Sequence, residues 1–248
     1  MKMHDYNENG KKVVLLLHPM LASGQMMYEL LGKYLGEDVR CLAPDFGSHG
    51  AEKGTEFVGA AQEADQIRAY LKEKGIDHID LAYGASLGGV VLTQLLKDGL
   101  SFSRAFFEGT SFFEGAGMLT KIVAAKFVKK HERAVADHDR AVKAMGELYG
   151  TQYAQAFADQ FISMSENSIR RIAASCGDNR HADLTPEQQS RCTFAYGSKD
   201  FNVPKAKPGC KKFYPHAAFR LWEGYGHCEK ITADTENYRK ILRDCLQD

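Results

Sequence analysis

The run His78-Ile79-Asp80-Leu81-Ala82-Tyr83, then Gly84-Ala85-Ser86-Leu87-Gly88, then Val90 to Lys97, decides how this chain folds. The first part reads as a buried strand, the last as a helix, and the five residues between them must reverse the chain sharply. A strand that turns abruptly into a helix holds the intervening Ser86 in strained backbone geometry. The residues two before and two after must lack bulk, because the chain passes close to itself there. Gly84 and Gly88 meet that demand. At this chain's glycine and serine content a bare G-x-S-x-G arises by chance about 0.1 times, so the strand-turn-helix setting carries the reading. Ser86 is the candidate nucleophile, against a purely structural Gly-rich turn.

Outward from this unit, short β-type runs alternate with longer segments of helical period. Further strands read at Val13 to His18, Val39 to Ala43, Ser103 to Glu108, Arg191 to Tyr196 and Ala217 to Trp222. Met1 to Tyr6 reads as an edge strand leading through Asn9-Gly10 into Val13 to His18, as in a hairpin. Between strands, Phe57, Ala60, Ala61, Ala64, Ile67 and Leu71 recur at three- and four-residue steps, as do Ile231, Tyr238, Ile241, Leu242 and Cys245. The fold class is therefore α/β: a mostly parallel central sheet of six or seven strands with helices on both faces. From about 109 to 190 no strand is legible, only helix-forming sequence such as Lys121 to Lys130 and Ala154 to Ile162. This predicts residues 1–108 and 191–248 as the core. Residues 109–190 read as an inserted helical cap that includes a helix connecting back to the core.

The 248 residues suffice for a sizeable core, and 44% hydrophobic with 26% charged residues excludes disordered, collagen-like and coiled-coil classes. Basic and acidic residues balance at 32 each. No net field draws the chain to nucleic acid or an anionic membrane, so neither nucleic-acid binding nor stable membrane insertion is expected. Residues 110 to 190 also balance, with ten basic and ten acidic side chains. Met1 to Lys12 carries no signal-peptide-like apolar run, and the six scattered cysteines form no CxxC pair, so a cytoplasmic address with free thiols is expected.

A serine hydroxyl needs a base, and the base needs an orienting acid. Beyond the strand Arg191 to Tyr196 lies Gly197-Ser198-Lys199-Asp200, a carboxylate past the carboxyl end of a strand, where open α/β sheets assemble their sites. Asp200 is the candidate acid, although aspartate is also a common turn-former. Glu108, at the end of the preceding core strand, is the alternative acid. After Ala217 to Trp222 comes Glu223-Gly224-Tyr225-Gly226-His227, and His227 is the candidate base.

The order Ser86, Asp200, His227 on this alternating scaffold resembles the α/β-hydrolase family over nearly the whole chain. Leu15-Leu16-Leu17-His18-Pro19-Met20 resembles the family's apolar strand ending in His-Gly, with Pro19 in place of the glycine. By that resemblance Leu87 and Met20 donate backbone N–H groups to an oxyanion hole. Asp45-Phe46-Gly47-Ser48-His49-Gly50 resembles a family loop near the site, with altered spacing. The insertion falls where many relatives carry a cap that closes over the acyl or alcohol pocket.

The resemblance implies a serine hydrolase of the carboxylesterase kind acting on a small-molecule acyl substrate, without metal or organic cofactor. Thioester, lactone or carbon–carbon bond hydrolysis, acyl transfer, and a receptor with slow or no turnover are the alternatives; the oligomeric state is not legible. Three other features read blandly. His131 and His138, seven apart on one helix without a clear third ligand, read as a solvated face rather than a metal site. Lys121 to Lys130 is a basic amphipathic stretch that could touch a membrane, but its favoured reading is an ordinary cap helix with its lysines in water. Cys228 reads as a packed thiol.

Overall fold

The computed structural model describes residues 1–113, 115 and 117–247. Seven strands form one sheet: β1 (Lys2–Tyr6), β2 (Lys12–Leu17), β3 (Val39–Asp45), β4 (Ile79–Ala85), β5 (Phe102–Glu108), β6 (Cys192–Gly197) and β7 (Ala218–Trp222), in the spatial order β1-β3-β2-β4-β5-β6-β7. Every pairing is parallel except that of β1 with β3. The central strands are covered on both faces, so β2 and β4 read as apolar runs rather than as alternations. Leu15 and Leu17 point to one core layer and Val14 and Leu16 to the other, all fully buried.

Helices α2 (Ala60–Glu73) and α3 (Leu87–Lys97) cover the first layer. The second is covered by α1 (Gly24–Leu30) and α11 (Thr235–Gln247). Of the periodic apolar residues, Ala60, Ala64, Ile67 and Leu71 on α2 and Tyr238 and Leu242 on α11 are buried, whereas Ala61 is exposed and Ile241 and Cys245 are half-buried. Between β5 and β6 the described residues form only helix: α4 (Gly117–Ala136), α5 (His138–Tyr149), α6 (Ala154–Ser163), α7 (Glu166–Gly177) and α8 (Pro186–Ser190). The short helices α9 (Val203–Phe213) and α10 (Lys230–Ala233) follow β6 and β7.

The expected hairpin is corrected. β1 is an edge strand, but its antiparallel partner is β3, from Lys2 against Asp45 to Tyr6 against Cys41, and β3 separates it from β2. Asn7 takes φ 58°, its carbonyl accepts the Gly10 N–H at 2.8 Å, and its side-chain amide donates to the carbonyls of Glu37 and Val39. The turn thus carries the chain over the end of β3. A cross-strand pair, with Arg40 donating to both carboxylate oxygens of Asp5 at 2.9 and 2.6 Å, fixes the register.

Candidate active site

The elbow at Ser86 follows from close packing. A Cβ on Gly84 would lie 2.7 Å from the Gly88 oxygen, and one on Gly88 would lie 2.1 Å from the Leu17 oxygen of β2. Both positions require glycine, so α3 can start directly against the sheet. Ser86 sits at φ 49°, ψ −110°, a conformation unfavourable for a residue with a Cβ. It is held there by its N–H, which donates to the Glu108 carbonyl at 2.8 Å, and by its own carbonyl, which accepts from Gly89 and Val90 in the first turn of α3. Strained geometry held by surrounding bonds is the usual condition of a reactive side chain.

The three side chains distant in sequence meet here. His227 Nε2 lies 2.9 Å from Ser86 Oγ, and His227 Nδ1 lies 2.9 Å from Asp200 Oδ2. With Asp200 as carboxylate, Nδ1 donates to it, leaving Nε2 to accept the serine proton. Asp200 is buried, whereas His227 keeps 19% of its side chain exposed, so the pair opens outward from the core. The Phe201 ring lies with its centre 4.8 Å from that of the imidazole, tilted by 33°. The other carboxylate oxygen of Asp200 accepts the Asn202 N–H at 2.8 Å, and Asn202 Nδ2 donates to the Gly109 carbonyl. The turn-former and the histidine partner are thus one residue, with one oxygen in each role.

Glu108 does not reach His227. On β5 its side chain faces the layer of Tyr83, Phe106 and Tyr238. There its Oε2 accepts from Trp222 Nε1 and from the Tyr238 hydroxyl, both at 2.9 Å. It is fully buried, and burial pushes its carboxyl up to about 8. A protonated acid pointing into the opposite core layer cannot orient the imidazole, and the alternative-acid reading is set aside for that reason. Cys228 follows His227 with φ 56° and lies buried, its thiol raised by burial and donating to the Glu108 carbonyl at 3.7 Å.

The candidate oxyanion donors are the main-chain N–H groups of Leu87 and Met20. Leu87 is the first residue of α3, and the leading N–H groups of a helix have no intrahelical acceptor. Met20 lies in the loop after β2, whose shape is set by two buried imidazoles that the sequence did not single out for this role. His18 Nε2 accepts the Phe46 N–H at 3.1 Å, so its proton sits on Nδ1, which donates to the Pro19 carbonyl at 2.8 Å. No peptide bond here is cis, so the Pro19 carbonyl and the Met20 N–H point in opposite directions across one plane. Fixing the carbonyl therefore aims the N–H. His49 Nε2 faces the next carbonyl, that of Met20, at 2.7 Å, and its Nδ1 faces the Gly47 carbonyl at 2.8 Å. Burial lowers both imidazoles, His18 well below its ordinary range.

Elsewhere, His131 lies on α4 whereas His138 opens α5 behind the N-cap Asp137, so the two do not share a helix face. His138 Nε2 meets Asp159 Oδ1 at 2.8 Å. Among the described residues no three His, Cys, Asp or Glu side chains converge as a metal-binding group, and no helix is long and apolar enough to cross a membrane.

No family model matches the chain, and no curated protein matches it by sequence. Solved structures do match in shape. An esterase from Exiguobacterium antarcticum superposes with TM-score 0.76 at 16% identity, over 99% of this chain and 95% of that one. A thermophilic esterase from Thermogutta terrifontis gives 0.75 at 14% identity, over 99% and 92%. An α/β-hydrolase enzyme from a deep-sea metagenome library gives 0.72 at 11% identity, over 100% and 94%. The chain has the α/β-hydrolase fold.

Proposed function

We propose that the protein is a serine hydrolase that cleaves a carboxylic ester of a small molecule through an acyl-enzyme on Ser86. One observation carries the reading: the continuous line Ser86 Oγ, His227 Nε2, His227 Nδ1 and Asp200 Oδ2, with 2.9 Å at both contacts. Ser86 Oγ bonds to the acyl carbon as its proton passes to His227 Nε2, and the carbonyl electron pair moves onto oxygen. That oxyanion accepts the N–H groups of Leu87 and Met20. When the intermediate collapses, the ester C–O bond breaks and the leaving alkoxide takes the proton from His227. Water, losing its proton to the same nitrogen, then releases the acid and restores Ser86. Asp200 holds the imidazole tautomer throughout and offsets its charge.

We assign residues 109–190 the part of a cap over this site. In support, the Gln160 side-chain amide of α6 donates to the Ser48 carbonyl and accepts from the Gly50 N–H. The Tyr149 carbonyl accepts from Thr232, five residues beyond His227. A cytoplasmic address fits the six scattered cysteines, which form no CxxC pair.

The test is hydrolysis of p-nitrophenyl acetate and longer acyl esters, with a matched thioester and lactone panel. Ser86→Ala should lose ester turnover by at least about 10³-fold. Retained turnover in that variant would exclude Ser86 as nucleophile, and a preference for thioesters or lactones would reassign the bond cleaved.

A further inference from the structure

Helix α4 is wrapped by the protein along only a narrow stripe. Ala124, Val128, His131 and Ala134, three or four residues apart, are its buried positions. Of the twelve large apolar side chains left exposed among the described residues, six belong to this helix: Met118, Leu119, Ile122, Val123, Phe127 and Val135. Met118 is 80% exposed, Leu119 53% and Ile122 48%. At 100° per residue, Met118, Leu119 and Ile122 occupy the half of the helix opposite the buried stripe, Val123 sits at the edge of that half, and Phe127 flanks the stripe beside Ala134. The expectation of an ordinary cap helix with only its lysines in water does not account for them.

Charge of one sign accompanies these side chains up to His131, Glu132 being the first acidic residue of the helix. Lys121, Lys126, Lys129 and Lys130 are all exposed, and positions 117 to 131 contain no acidic residue. This contrasts with the balanced charge of residues 110 to 190 as a whole. Lys130 Nζ lies 5.8 Å from the Phe127 ring, so the lysine stems extend the apolar surface while their heads stay at its margin. Met118, Leu119, Ile122 and Val123 lie in the first half of the helix, and the lysines run from Lys121 to Lys130 along its middle.

From this pairing we infer that the α4 face docks the protein, reversibly and peripherally, on an anionic lipid bilayer. Apolar side chains along one helix enter the boundary between headgroups and acyl chains, and lysines beside them meet acidic headgroups. A second copy fits less well: a two-fold contact sets a patch against itself and would bring Lys126 and Lys130 against their own counterparts. The inference does not rest on the hydrolase reading, because binding is read without turnover.

The experiment is co-sedimentation of the full chain with vesicles of phosphatidylcholine alone and of equal parts phosphatidylcholine and phosphatidylglycerol, at about 50 and about 300 mM NaCl. Partitioning should be at least about tenfold stronger onto the anionic vesicles and should fall severalfold at the higher salt. Ile122→Asp and Lys126→Glu should each abolish most of it while keeping the parent thermal melt, since both side chains are exposed. Equal binding to both vesicle types, no binding to either, or binding untouched by Ile122→Asp would overturn the proposal. So would sedimentation velocity showing a dimer that Ile122→Asp dissociates while vesicles recruit nothing.

Discussion

Replacing Glu108 with glutamine should stabilise the protein at neutral and alkaline pH, by an amount set by how far its buried carboxyl is displaced. In the unfolded chain the group titrates at its ordinary 4.5, and in the folded protein burial lifts it to about 8. The folded state therefore holds a proton that the unfolded state releases, and stability falls as pH rises between those values. Protonated Glu108 is compatible with folding below about pH 4.5; by pH 8 the cost of keeping it neutral or burying its charge is fully felt. Integrating across the window gives a loss on the order of 3 to 4 kcal/mol between pH 5 and pH 8. Glutamine copies the protonated acid. Its carbonyl oxygen can accept from Trp222 and Tyr238, and its amide takes the place of Oε1, which has no partner among the described residues.

The two proteins should melt within a degree or two of each other at pH 5. At pH 8 Glu108→Gln should melt higher by roughly 10 °C, at about 2 to 4 °C per kcal/mol for a chain of this size. Glu63, also buried and lifted to about 7, contributes a slope of the same sign to both proteins and cancels in the difference. Parallel melting curves across pH 5 to 8, or a variant less stable at every pH, would refute the argument. Ester turnover of Glu108→Gln at pH 6 should stay within about threefold of the parent, because the carboxyl does not touch His227.

Asp200→Asn should lower kcat by on the order of 10⁴-fold, since an amide donating to Nδ1 favours the tautomer that cannot accept the serine proton; a loss under tenfold would return the acid role to another group. His18→Ala should free the Pro19–Met20 peptide and cost about 10²-fold in kcat with KM little changed, which steady-state kinetics resolves. His18→Asn, which can replace the Nδ1 donor, should recover part of that loss, and no recovery would sever the link between Pro19 and the oxyanion. Gly88→Ala should destabilise by more than about 3 kcal/mol or abolish soluble folding, because its Cβ falls 2.1 Å from the Leu17 oxygen; a near-parent melt would contradict the close approach.

The sheet and its order of motifs were legible because the determinants are local. A strand buried on both faces must be apolar throughout, and the elbow demands glycine at two fixed offsets. The position of His227 and Asp200 after the last strands was legible for the same reason. What escaped depends on direction in space. Asn7 to Gly10 is a turn by any reading, yet whether β1 returns beside β2 or crosses to β3 depends on contacts distant in sequence, among them the Asp5 pair with Arg40, 35 residues away. Glu108 is the last residue of β5, where the pleat turns its carboxyl into the core, whereas Asp200 lies in the loop beyond β6, whose path brings it to the imidazole. His18 and His49 read as loop residues because their partners are main-chain N–H and carbonyl groups, which nearly every residue has. The periodicity of α4 was legible, but how narrow a stripe it would bury was not.

The most direct measurement is intact-mass and peptide mapping after treatment with a fluorophosphonate, which reports the one hydroxyl made nucleophilic by its surroundings. The account predicts a single adduct on the peptide containing Ser86, formed at least about 10²-fold more slowly in His227→Ala. An adduct on another residue, or equal labelling in that variant, would contradict it.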